Sequence, residues 1–461
     1  MSIHSRMSSG GRIQLAAVGE QDIFLTSNPE TTYFIKRYKR HSQFALQTIE
    51  VPFEQDARFG GRVRSVIPRN GDLVKEIYLK VTLPEINQNL VTTYNPITEA
   101  FEPVETFPTY SDSIGHALIR QADIRIGGQT VETINGDYLD LYEEMFTPES
   151  QALAIKNMVG RTYLRTGLGP ASNVIYRTQN GFDANGAFPR TFIVPLRFWF
   201  TQDPSLAVPL TSLTYQEMEV NISFDEIERL VVSENSSITQ FLRSTAGLGG
   251  VPLEIESASL LVEYVFLTEN ESNFFRSNRL DYLITQIQGI ETNISKTENY
   301  TKIPRQIRSY FNNPVKEMFI ILQEVVNRPK ILENSSTITN DYFNYKSSTN
   351  QDILTNLELL FNNNPRIYKE VADGFYLRNI QPLQSHTRIP ERFTYNYSFS
   401  IDPENYAPTG QVNFSRIKDV MFNLFLNPSN NRDRTARIYV KNYNVLRIES
   451  GVSGVLFNYN G

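Results

Sequence analysis

Cysteine is absent from the 461 residues. Disulfides, thiolate metal sites and a cysteine nucleophile are thereby excluded, and stability has to come from packing and assembly. Histidine is scarce. His4, His41, His116 and His386 are the whole complement, and no two stand at metal-ligand spacing, so lone structural roles are expected. His386 lies in the polar run Gln384-Ser385-His386-Thr387-Arg388, which is expected to satisfy it locally. No apolar run reaches the ~18 residues of a membrane-spanning helix. The start, MSIHSRMSSGGR, has no apolar core, and no secretory signal is expected there. Positive charge is not in excess either: 44 Lys and Arg stand against 50 Asp and Glu, a net charge of −6. Phosphate binding needs a concentrated positive field, so a general nucleic-acid coat is not expected.

Catalytic signatures are missing as well. The glycine-rich run Gly247 to Gly250 is followed by Val-Pro, not by the Lys-Ser/Thr of a phosphate loop. No G-x-S-x-G elbow occurs. Glu143-Glu144 is an adjacent carboxylate pair, expected to be the solvated face of a helix. Carboxylates for glycoside hydrolysis could come from distant strands, but nothing selects a pair. Asn-x-Ser/Thr triplets at Asn221, Asn235, Asn334 and Asn413 are expected at this Asn, Ser and Thr content, and glycosylation is not. No catalytic, cofactor-binding or metal-ligating residue is assigned.

What is abundant is strand-forming residues. Aromatics make up 12% and hydrophobics 40%, in short alternating runs that favour strands. The length suggests two domains, and one stretch occurs twice. FWFTQDPSLAVPLTSLTYQEMEVNISF begins at Phe198, and YSFSIDPENYAPTGQVNFSRIKDVMFNLFL runs from Tyr397 to Leu426. Asp203-Pro204 and Pro209 recur as Asp402-Pro403 and Pro408, 199 positions later. Val74-Lys75-Glu76-Ile77-Tyr78-Leu79 is echoed 241 positions later by Val315-Lys316-Glu317-Met318-Phe319-Ile320. The first copy therefore holds longer insertions between these landmarks. Asp-Pro and the later Pro would set a corner, since proline ends a ladder and fixes φ.

In chain order, Met1 to Gly11 reads as a flexible arm. Asn28-Pro29-Glu30 predicts a helix start, with Lys36, Arg37, Lys39 and Arg40 near its end. Strands are predicted over Phe44–Phe53 and Arg62–Ile67, with a hairpin turn at Asn70-Gly71. The next strand points Ile77, Leu79, Val81 and Leu83 inward. Residues 85–113 and 161–190 read as loops. Between them fall a strand over Ala117–Ile126, a Gly127-Gly128 turn and two helices, the second capped at Thr147-Pro148-Glu149 and closed by Gly160. Phe192–Phe200 is expected to be a strand, followed by one burying Met218, Val220, Ile222 and Phe224. After a loop over Ser233–Gly250 comes a strand at Leu260–Leu267 and a polar linker, Thr268 to Arg279. In the second half, strands are expected at Tyr282–Ile287, Val315–Ile320, Val420–Leu426, Ile438–Ile448 and Gly454–Tyr459. Asn327–Asn364 reads as loop with a short helix at Leu354–Phe361.

Many short strands and little helical periodicity predict an all-β chain of two antiparallel β-sandwiches with short helices in loops. About eight strands per half is the jelly-roll count. The expected boundaries are 1–11 for the arm, 12–268 for the first sandwich, 269–281 for the linker and 282–461 for the second sandwich.

Several runs together resemble the double jelly-roll major capsid proteins of nucleocytoplasmic large DNA viruses. They include GGRIQLAAVGEQDIFLTSNPETTYFIKRYKRHSQFALQTIE (Gly10 to Glu50) and FGGRVRSVIPRNGDLVKEIYLKVTLP (Phe59 to Pro84). GGQTVETINGDYLDLYEEM follows from Gly127, then FWFTQDPSLAVPL from Phe198 and LLVEYVFLTENE from Leu260. The second half contributes NNPVKEMFIILQ, QPLQSHTRIP, NYSFSIDPENYAPTGQVNFSRI and RIYVKNYNVLRIESGVSGVLF from Asn312, Gln381, Asn396 and Arg437. The resemblance spans nearly the whole chain in family order. It implies two consecutive eight-stranded jelly rolls in a structural protein without enzymatic activity, forming homotrimeric, pseudo-hexameric capsomers that tile an icosahedral shell. The implied partners are two further copies, neighbouring capsomers, and minor capsid and penton proteins. The N-terminal arm would touch the layer above the inner membrane, with no direct nucleic-acid contact and with assembly in the host cytoplasm. A carbohydrate-binding or carbohydrate-active sandwich is the rival expectation, since folds do not fix function.

Overall fold

The chain was analysed as a computed structural model. It describes residues 9–36, 38–84, 90–95, 100–105, 109–161, 191–232, 253–295, 303–325, 342–347, 351–427 and 432–457. The expected loops over 162–190 and 233–250 lie outside these residues, as does most of 327–350.

Two units are distinguished, Met1–Gln43 and Phe44–Gly461. The first holds helices α1 (Ser9–Ala16) and α2 (Glu20–Thr26). Ser9 to Gly11 of the expected arm are thus helical, and residues 1–8 lie outside the description. The helix expected from Asn28 is not formed. Asn28 adopts a left-handed φ of 52° just after α2, a conformation asparagine tolerates, and Pro29 cannot continue a helix. The Asn-Pro pair therefore closes the preceding helix.

The second unit carries β1 (Phe44–Pro52), β2 (Arg62–Val66), β3 (Leu73–Thr82), β4 (Leu90–Asn95), β5 (Ala100–Glu105) and β6 (Thr109–Tyr110). Next come α3 (Ile114–Ala117), β7 (Ile119–Ile126), β8 (Gln129–Ile134), α4 (Gly136–Phe146) and α5 (Glu149–Val159). The first half continues with β9 (Thr191–Pro195), β10 (Val208–Pro209), β11 (Met218–Phe224), α6 (Ile227–Leu230), β12 (Val231–Val232) and β13 (Ser257–Leu267). After α7 (Glu269–Ser277) the second half holds β14 (Leu280–Ile294), β15 (Arg305–Ser309), β16 (Pro314–Glu324), β17 (Leu354–Phe361) and β18 (Asn364–Ile367). It ends with α8 (Gln381–Ser385), β19 (Thr394–Ser398), β20 (Val412–Asn413), β21 (Val420–Leu426), β22 (Arg434–Glu449) and β23 (Val452–Val455).

These strands form two jelly rolls with the same order. In the first, the sheet β1-β13-β3, with β9 and β10 both on β3, faces β2-β11-β7-β8. In the second, β14-β22-β16-β19, with β20 on β16 and β23 on β22, faces β15-β21-β17-β18. The duplicated stretch occupies equivalent places: Val208 pairs with Val74, and Val412 with Val315. Val74 and Val315 are the residues related by 241 positions. In each copy the stretch leads from one sheet, through an Asp-capped turn, to the opposite sheet. Asp203 accepts from the Ser205 N–H at 2.8 Å, and Asp402 from the N–H groups of Glu404 and Asn405 at 3.2 Å.

Four other expectations are corrected. Asn70-Gly71 is not a hairpin, because β2 and β3 belong to different sheets. Gly71 is needed for space instead, since a Cβ there would lie 2.8 Å from Cβ of Tyr264. Part of residues 85–113 forms the β4–β5 hairpin. Phe192–Phe200 is a strand only to Pro195, and Trp199–Thr201 make a 3-10 turn. Leu354–Phe361 is a strand and not a helix, because its backbone completes the ladder beside β21. The polar segment Thr268 to Arg279 contains α7, whose Ser272 hydroxyl donates to Asp72 at 2.7 Å.

Candidate functional site: the joint between the two jelly rolls

β16 breaks the alternation expected of a half-exposed strand: Val315 through Glu324 are all buried. Met318, Ile320 and Leu322 fill the second roll's core, while Phe319 and Ile321 join the first roll's hydrophobic cluster. A strand covered on both faces carries a near-continuous apolar run, here Met318 to Leu322. The covering element is α4.

The local sequence explains how α4 and α5 are placed. Asn135 caps α4 by accepting from the Tyr138 N–H at 2.9 Å, and its amide donates to the Tyr439 hydroxyl of the second roll at 3.1 Å. A Cβ on Gly136 would sit 2.2 Å from the His116 carbonyl oxygen, so only glycine lets α4 start there. Gly160, at φ 72°, closes α5. Tyr138, Leu141 and Met145 point into the first roll. On the other side Tyr142 stacks on Phe146 at 4.7 Å, and Phe146 meets Phe319 edge-on at 6.2 Å. Lys441 Nζ lies 4.0 Å from the Phe146 ring centre, a cation–π contact.

Around this apolar centre lies a buried ionic network. Glu144, fully buried, accepts from the Arg161 guanidinium and from the N–H groups of Glu391 at 2.7 Å and Arg392 at 3.0 Å. Arg392 in turn binds Asp140 at 2.9 Å and Asp112 at 3.0 Å. Arg197 pairs with Glu143 at 2.9 Å, Lys156 with Glu391 at 2.6 Å, and Arg437 with Asp137. Burial would raise the Glu144 pKa, yet Arg161 and Arg392 outweigh it and hold the carboxyl at about 2. Glu143-Glu144 are therefore not a solvated face. Their charges are matched by arginines 17 to 248 residues away in sequence, a pairing no local pattern reveals.

His41 is exposed, His4 lies outside the described residues, and His116 is buried with Nδ1 3.7 Å from Asp140. His386 is not satisfied by its polar neighbours in sequence alone. Its two ring nitrogens each lie 3.3 Å from a carboxylate, Nε2 from Glu317 and Nδ1 from Glu404, with the Asn396 amide 2.8 Å from Nε2. Burial lowers its pKa, but the two carboxylates outweigh this and raise it above the ordinary 6.5. The stability His386 contributes is thus fully present below pH 6.5 and lost as pH rises through the raised folded value. His386→Gln is expected to cost most near pH 6 and less at pH 9, checked by urea midpoints of both chains across that range. A pH-independent difference would contradict the doubly carboxylate-bound imidazolium.

The space lined by Ser113, His116, Asp140, Lys156 and Arg388 holds no more than a water-sized guest. Among the described residues no group of three His, Asp or Glu side chains is placed to hold a metal ion. Of the glycosylation triplets, Asn221 is buried in β11 and Asn413 caps a 3-10 turn; Asn235 and Asn334 lie outside the described residues. The arrangement joins the two sandwiches through apolar packing and buried ion pairs.

The family model for the major capsid protein N-terminus matches residues 32–268, and that for the large eukaryotic DNA virus major capsid protein matches residues 271–454. The chain belongs to the major capsid protein family of large eukaryotic DNA viruses. The major capsid protein of Phaeocystis pouchetii virus is 28% identical, over 98% of this chain and 100% of that one. That of Paramecium bursaria Chlorella virus 1 is 27% identical, over 97% and 99%. In fold, the chain is similar to one of the PBCV-1 virus capsid, with a TM-score of 0.69 and 22% identity over 93% and 100% of the two chains. The Faustovirus major capsid protein gives a TM-score of 0.68 at 14% identity over 94% of each. As a member of this family the chain is a structural component of the virion capsid and not an enzyme.

Proposed function

We propose that three copies close into a homotrimeric, pseudo-hexameric capsomer, and that such capsomers tile an icosahedral shell assembled in the host cytoplasm. The observation that carries this reading is the duplication: two jelly rolls of one strand order, held by a buried joint within one chain. Three chains then present six similar rolls around one axis, and a cyclic trimer gains a near six-fold rim of repeated lateral contacts. Neighbouring capsomers meet at that rim, with minor capsid and penton proteins at the seams and vertices. The N-terminal arm contacts the layer above the inner membrane, and nucleic acid is not touched directly.

Solution mass tests this. Purified protein at neutral pH is expected at three times the 52.9 kDa subunit. A strict monomer at high concentration, with saturable glycan binding, would overturn the capsomer reading in favour of a lectin-like sandwich. Deleting Ser2 to Gly11 is expected to leave the trimer mass unchanged while sharply reducing the yield of assembled particles in electron micrographs. Loss of the trimer itself would place the arm inside the capsomer.

A further inference from the structure

The contact between the two rolls of one chain has an unfilled counterpart at each end of the chain. Within the chain, the β8–β9 connection of the first roll supplies α4, which covers the outer face of β16 and β22. The equivalent connection of the second roll, β18–β19, carries a π-helical turn (Tyr376–Ile380) running into α8. Among the described residues none of the first roll covers its apolar side chains: Tyr368, Val371, Phe375 and Leu383 are 58%, 58%, 59% and 70% exposed.

The face that would receive this ridge can be named residue by residue. Moving 241 positions back from Glu317, Phe319 and Ile321 leads to Glu76, Tyr78 and Lys80 on β3. The ladders agree. Lys441, Tyr439 and Arg437 lie opposite the first three, and Glu263, Leu261 and Ser259 opposite the second three. On the second roll this face is buried under α4. On the first roll Tyr78, Lys80, Leu261 and Glu263 remain partly exposed, and Leu46 and Glu50 on the neighbouring edge strand β1 are open.

We infer that the ridge of Phe375 and Leu383 on one copy of the chain docks on the outer β1-β13-β3 face of a second copy. This repeats between chains the contact that α4 makes within one. The inference rests on the trimeric reading above and locates its interface. A head-to-tail contact of this kind uses two different patches and leaves none unpaired once the ring closes. The difference in polarity between the two faces has a physical reason. The intrachain face never meets water after folding, so Phe319 and Ile321 are tolerated there. Its counterpart stays in water until assembly, and Tyr78, Lys80, Glu76 and Glu263 keep the free subunit soluble.

The cysteine-free chain makes the test clean. Leu383→Cys and Leu46→Cys are introduced singly and together, treated with a flexible bis-maleimide, and resolved on denaturing gels. The paired variant is expected to give covalent dimers and trimers, and either single variant none. Leu383→Asp, with a native circular dichroism spectrum, is expected to raise the trimer's dissociation constant at least about tenfold. If the unmodified chain is trimeric but the paired variant does not cross-link and Leu383→Asp remains trimeric, this interface is wrong while the trimeric reading stands. If the unmodified chain is monomeric, the trimeric reading itself fails.

Discussion

Glu144→Ala is expected to destabilise the folded chain by about 3–5 kcal/mol, the usual cost of removing one partner from a buried ion pair. The carboxylate accepts from Arg161 and from two backbone N–H groups, those of Glu391 and Arg392, that belong to the other roll. Its removal takes away the shorter of Arg161's two carboxylate contacts, Glu391 being the other at 3.1 Å, and leaves the Glu391 and Arg392 amides without this acceptor. Glu144→Gln keeps one oxygen as acceptor and is expected to fall between wild type and alanine. Because the carboxyl is held at about 2, below its ordinary 4.5, its contribution is present above pH 4.5 and lost as pH falls through about 2. Urea titrations at pH 7 and pH 3 measure both effects. An alanine variant within about 1 kcal/mol of wild type at pH 7 would show that the joint does not depend on this carboxylate.

Trp199→Ala is expected to cost about 3–5 kcal/mol through the lost transfer energy and the cavity left behind. Trp199 is the only tryptophan. It is fully buried and meets Phe200 edge-on at 5.1 Å. Its backbone N–H donates at 2.8 Å to Glu132, whose carboxyl burial pushes up to about 8. The backbone bond survives the substitution, so the loss reports packing. The thermal midpoint by circular dichroism checks it, since tryptophan fluorescence disappears with the residue. A midpoint unchanged from wild type would mean that the first roll closes around the gap.

The repeat was legible because the same physical problem is solved twice. A chain leaving one sheet for the opposite one needs a turn, and Asp-Pro with a later Pro supplies it in both rolls. The two copies of that turn lie where the offsets of 199 and 241 positions pointed. Alternation likewise marked Ile77, Leu79 and Val81, and Met218, Val220 and Ile222, because each of these strands buries one side-chain row in a core. The failures share a cause. Leu354–Phe361 carries leucines at a spacing compatible with either period, and only the ladder with β21 decides for a strand. Asn28-Pro29 can open or close a helix, and the neighbouring α2 decides which.

Sequence by itself determined the all-β class, the duplication, the strand faces and the kinship with a capsid family, since each depends on local periodicity or on motifs in order along the chain. Tertiary structure alone decided that Glu143 and Glu144 are buried charges, that His386 sits between two distant carboxylates, and that β16 is covered on both faces. These facts depend on which residues the fold brings within about 3 Å of each other, the range over which a charge-assisted hydrogen bond can offset the cost of leaving water.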